Sequence, residues 1–174
     1  MKVTIAITDL FMSQKPVDRR PFYCQLIDRL SPKVTDCWAD EEKFAPENVS
    51  GPDGVKLLFA ATYAERDICN GGFHQFFGND TGRLAPEAIE GFCLIGIEDA
   101  GVVIAKAMKF FGASYPRNRE ERSKALEAVP GFPNAERDEW DPFTALDEAF
   151  YACLKKEPDR FDNAANAFAQ QFDQ

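Results

Sequence analysis

The sequence predicts an all-α domain, and three features predict it. From Phe22 onward, apolar residues recur at steps of three and four, the period of a helix face. The segments between these runs are short and punctuated by Gly, Pro and Asn. The single β-branched run, Val3, Thr4, Ile5, Ala6, Ile7, Thr8, has no evident pairing strand. A length of 174 residues suits one domain of about seven helices. Within residues 1–174, the first 54 are expected to be an N-terminal helix and loop extension, opening on a short strand or extended segment.

The first helix is expected after Pro21, where Phe22, Leu26, Ile27 and Leu30 fill one stripe, and Ser31-Pro32 ends it. Residues 45–54 read as a loop. Val55 to Cys69 follows as a strong helix, with Leu57, Leu58, Ala61, Ala64 and Ile68 along one side. Asn70-Gly71-Gly72 is expected to stop it, with Asn70 in the left-handed position or capping the end. Phe73 to Phe77 is expected as one packed turn folded back on that helix, and Asn79-Asp80-Thr81-Gly82 as another turn.

Pro86 marks the next helix, about 86–97, apolar on most sides and so expected at the centre of the core. Glu98-Asp99 is expected to cap a helix over about 100–111 that ends at Gly112. A polar helix is expected at 119–128, irregular chain at 129–143, and two helices at about 144–156 and 158–171, split near Glu157-Pro158.

Composition limits the function. Lys and Arg number 20 against 29 Asp and Glu, a net charge of −9, which disfavours direct nucleic-acid binding. With 45% hydrophobic and 28% charged residues, the chain is not of disordered composition. The apolar stretches near 91–97 and 100–111 are too short, and with Glu98, Asp99, Lys106 and Lys109 too charged, to span a bilayer. The five cysteines include no C-x-x-C pair, so reduced thiols and a cytoplasmic location are expected.

His74 is the sole histidine. A metal site would need partners that its neighbourhood lacks, and no metal or other cofactor is expected. A pocket near Glu65, Cys69 and His74 would make the chain an enzyme or small-ligand binder, but nothing in the spacing aims a thiol at the imidazole. Charge is uneven. Residues 1–33 are net +3, residues 34–54 net −5 and residues 141–174 net −4. Asp36, Asp40, Glu41, Glu42, Glu47 and Asp53 form one candidate acidic row. Asp138, Glu139, Asp141, Asp147, Glu148, Asp159 and Asp162 form another. Duplex DNA carries one negative charge per about 1.7 Å of axis, and rows of carboxylates on rigid elements could imitate it.

The stretch Tyr63 to Asn79, with Glu65, then Asn70-Gly71-Gly72-Phe73 and Gln75-Phe76-Phe77, resembles the signature of a bacterial family of DNA-mimic-protein-like domains. Residues 88–96 resemble its next helix, and Leu146 to Tyr151 its L-D-x-x-F-Y element, so the likeness spans about 55–170. The resemblance implies an all-helical fold and no catalytic activity. It also implies an acidic protein, dimeric in the family's studied member, that covers the DNA-binding surface of a basic helix-turn-helix transcription regulator.

The motif itself reads as structural. Gln75 and Asn79 are expected to satisfy turn backbone groups, and Glu65 to pair with a base or accept turn N–H groups. Mimicry would fall to surface carboxylates: Asp36, Asp40, Glu41, Glu42, Asp138, Glu139, Asp141, Asp147 and Glu148. Arg117, Arg119, Arg122 and Lys124 would interrupt that field. The rival expectations are the small-ligand pocket above and a partner protein whose acidic surface merely keeps it soluble.

Overall fold

The computed structural model describes residues 18–30, 44, 48, 50–129 and 142–172. Among these there are seven α-helices and no strand, as the periodicity predicts. The run at 3–8 and both acidic stretches, 36–42 and 138–141, lie outside the described residues.

Helix α1 (Phe22–Leu30) starts on the Pro21 carbonyl, which accepts from the N–H groups of Cys24 and Gln25. Its buried face is Tyr23, Cys24, Leu26 and Ile27; Leu26 and Ile27 belong to the predicted stripe, whereas Phe22 is half-buried. Helix α2 (Asp53–Gly78) is the axis of the domain. Every residue from Leu58 to Ala64 is buried, so neighbours surround it on all sides.

The sequence pattern ends this helix at Asn70, but the chain resumes helical geometry at once. The interruption is a kink with non-helical backbone only at Gly71 (φ −153°, ψ 23°) and Gly72 (φ 72°, ψ −174°). Phe73 to Phe77 is therefore a continuing helix rather than an isolated turn. The positive φ falls on Gly72 and not on Asn70. This is a region of backbone space open essentially to glycine alone.

A 3-10 turn, Asp80–Leu84, replaces the expected simple turn and leads into α3 (Ala85–Leu94). Helix α3 packs along α2 at very close range: a Cβ on Gly91 would collide with the Leu57 carbonyl oxygen. Its centrality is one-sided. Ala88, Gly91 and Phe92 are buried, whereas Cys93 and Leu94 are exposed. The helix stops three residues early because Ile97 N–H bonds back to Phe92 O (2.8 Å) and Gly96 N–H to Cys93 O (3.1 Å), a Schellman closure.

Helix α4 (Glu98–Met108) runs into a 3-10 turn, Lys109–Phe111. No side chain caps its start, so the expected Glu98-Asp99 cap does not form. Asp99 instead receives Lys156 (2.6 Å) and Arg160 (3.0 Å). Helix α5 (Arg119–Glu127) is capped by Asn118, whose side chain accepts the Glu121 N–H at 3.1 Å. Helices α6 (Thr144–Leu154) and α7 (Arg160–Ala169) complete the core. Helix α7 closes onto α1: Tyr23 Oη donates to Asp162 (2.7 Å), Tyr23 N–H donates to Asn166 Oδ1 (3.1 Å), and the Tyr23 and Phe161 rings meet edge-on.

Candidate functional site

The motif residues gather around the kink in α2. Once Gly72 breaks the hydrogen-bond ladder, the N–H groups of the next turn lose their partners. The Asp147 carboxylate, from the first turn of α6, accepts the Phe73 N–H at 2.8 Å and caps the second half of α2 from outside. A side chain on Gly72 would strike this carboxylate. Beyond the kink, Phe73 stacks on Phe77 (5.6 Å) and meets Phe150 edge-on (5.9 Å). Phe77 also meets Phe111 (4.8 Å) and Phe143 (5.8 Å). Aromatic packing of this kind fixes the direction of the resumed helix.

One turn before the kink, Asp67 is partly buried. Burial raises its carboxyl above the usual range, and hydrogen bonds from the side chains of Thr81, Asn79 and Gln75 offset part of that rise. Gln75 also accepts from Asn70 Nδ2 at 3.2 Å. Gln75 and Asn79 thus satisfy a carboxylate, not the turn backbone expected of them. Asp67 draws the two ends of the bend together and is a motif residue that the sequence pattern did not single out.

The hydrogen-bond partner of Glu65 is the Cys69 thiol rather than the turn backbone, and the base whose charge acts on it is Arg66. Burial raises the Glu65 carboxyl, and burial followed by the Glu65 charge pushes the Cys69 thiol up to about 12. A nucleophilic thiol needs the opposite shift. His74 lies past the kink with its ring edge-on to Phe143 at 4.7 Å. The Glu65–Cys69 pair is therefore brought together as the spacing allows, while the imidazole is packed on an aromatic ring. Among the described residues, no three His, Cys, Asp or Glu side chains converge where a metal ion could sit. No helix is long and apolar enough there to cross a membrane.

Arg122 departs furthest from expectation. Rather than breaking up a surface field, it is fully buried. Its Nε donates to Phe77 O (3.0 Å), Nη2 to Asn79 O (2.8 Å) and Nη1 to Arg117 O (2.5 Å). A cation here meets the carbonyls at the C-terminal end of α2, where the helix dipole is negative. The spacing held a signal: Arg122, Leu126 and Val129 form an i, i+4, i+7 stripe, and all three are buried.

Of the candidate acidic residues, Asp147 faces the kink and is not part of an outward row, and Glu148 is exposed. Asp36, Asp40, Glu41, Glu42, Asp138, Glu139 and Asp141 lie outside the described residues. Several carboxylates of the helical body are paired with bases. Glu87 binds Arg117 (2.5 Å), Asp28 binds Arg20 (2.5 Å), Glu120 binds Lys124 (2.8 Å) and Asp80 binds Arg119 (3.1 Å).

Compared with known families, residues 50–171 match a family model described as DMP19-like protein. Neither the curated proteins nor the solved structures provide a match.

Proposed function

Since the chain belongs to the DMP19-like family, a family of DNA mimics, we propose that it is a non-enzymatic interaction protein that offers carboxylates to a basic DNA-binding protein in place of duplex DNA. The observation that carries this reading is the distribution of charge. The helical body uses many of its carboxylates in internal ion pairs, whereas the stretches 36–42 and 138–141 are densely acidic. In the sequence the second stretch lies between Val129 and Phe143, both buried, and the Phe143 ring packs on Phe77. A partner evolved for phosphates would meet a concentrated negative field there, and charge complementarity would steer its approach. A helix-turn-helix regulator fits this chemistry, the cytoplasm suits such a pairing, and a second copy of the chain could double the acidic face.

The test is capture of partners from the source organism's lysate at about 50 mM and about 500 mM salt, followed by elution with duplex DNA. The expected partner is a DNA-binding protein retained at low salt and displaced by both high salt and duplex. A partner that resists both would overturn the reading in favour of an apolar interface.

A further inference from the structure

Beside the bend that follows α2 lies a cavity of about 160 Å³, lined by Phe44, Asn79, Asp80, Thr81 and Arg119. Arg119 forms part of its wall, and the space is well below the roughly 300 Å³ typical of a drug-sized ligand. Its walls are fixed. Asp67 bonds the side chains of Thr81 and Asn79 on either side of Asp80. Phe44 is buried and braced by Phe59 (6.4 Å) and Tyr63 (5.5 Å). The Asp80 side chain is 9% exposed, and a carboxylate so enclosed needs a cation.

That cation is Arg119, held by two contacts: Nη1 to Asp80 Oδ1 at 3.1 Å and Nε to Gly78 O at 2.9 Å. Its side chain nonetheless remains 53% exposed. Because Arg119 reaches Asp80 from a half-exposed position, an incoming guanidinium can replace its contacts one for one without leaving the enclosed carboxylate bare. Arg122 differs sharply, being fully buried on three carbonyls.

We propose that Asp80, the Gly78 carbonyl and the Phe44 wall form a guanidinium-accepting subsite, in which Arg119 is an exchangeable internal occupant that gives way to an arginine side chain of a protein partner. A carboxylate and a carbonyl suit the forked donors of a guanidinium, and an aromatic wall favours a flat cation. A lysine ammonium fits less well because it has no second in-plane pair of donors. The chemistry of the subsite stands on these contacts, and only the identification of its arginine with that of a DNA-binding partner rests on the function proposed above.

The probe is a blocked Gly-Arg-Gly peptide titrated into the full chain, with Gly-Lys-Gly and Gly-Gly-Gly as controls, followed by calorimetry and by amide shifts of Asn79, Asp80 and Thr81. Arg119→Ala removes the occupant from an exposed position. It is expected to bind the arginine peptide at least roughly fivefold tighter than the parent chain, because the enclosed Asp80 is left without its cation. Adding Asp80→Asn is expected to abolish the binding and the shifts. Thermal melts identify any variant that fails to fold, and for an unfolded Asp80→Asn chain the comparison of lysine and arginine peptides in Arg119→Ala decides. Equal binding of both peptides, binding that Arg119→Ala does not strengthen, or shifts away from residues 79–81 overturns the subsite. Capture of a DNA-binding protein that Asp80→Asn leaves unchanged would reject its use by the partner while the proposed function stands. Peptide binding with no such protein captured would do the reverse.

Discussion

Asp147 and Phe73, 74 residues apart in the chain, share one hydrogen bond of 2.8 Å, and that bond restarts a helix the local sequence had ended. A cap supplied by another helix couples the bend in α2 to the docking of α6. Asp147→Ala is expected to cost about 1–2 kcal/mol, the upper range for removing a helix cap, in urea unfolding. Asp147→Asn keeps an acceptor and is expected to lose much less.

Gly72→Val places a β-branched side chain at φ 72° and against Asp147. The expected loss is about 2–3 kcal/mol or more, with a melting point lowered by several degrees. An unchanged melting curve would refute the structural role of the motif.

Arg122→Leu leaves the carbonyls of Phe77, Asn79 and Arg117 without their donor inside the core. A loss of at least about 3 kcal/mol is expected, large enough to read as reduced soluble yield. Arg122→Lys keeps the charge but cannot span three acceptors in a fan, and is expected to rescue only a minor part.

The pH dependence of stability separates two groups of carboxyls. Burial raises Asp67 and Glu65 when folded, so the folded chain holds their protons longer, and stability falls as pH rises from their ordinary values through the raised ones. Asp99 behaves oppositely. Burial alone would raise it, but Arg160 and Lys156 outweigh burial and hold it well below the usual range. Its contribution is present above its unfolded value of 3.8 and is lost as pH falls below that. Urea midpoints measured from about pH 2 to pH 8 are expected to lose the Asp99 part of the acid-side slope in Asp99→Asn and to keep only the Glu65 part of the slope above about pH 4 in Asp67→Asn.

The helices were legible in the sequence because their faces repeat locally: Phe22, Leu26 and Ile27, or Phe161 and Ala165, announce themselves without reference to the rest of the fold. What escaped was set by distant partners. Gly71-Gly72 looks like a terminus until Asp147 arrives from α6. Asp99 looks like a cap until α7 brings Arg160 beside it. Arg122 looks like a surface cation because residue type outweighed its place in the stripe with Leu126 and Val129. Asp67 escaped for the same reason as Asp99, since its donors Gln75, Asn79 and Thr81 meet only after the chain bends.

The clasp between the first and last described helices has a consequence for synthesis. The hydroxyl of Tyr23 waits for a carboxylate 139 residues downstream. The residues of α7 must therefore leave the ribosome before α1 can make this contact, and until then Leu26 and Ile27 on its buried face stay open to chaperones. Docking of α1 is thus expected to be among the last steps in the folding of this domain.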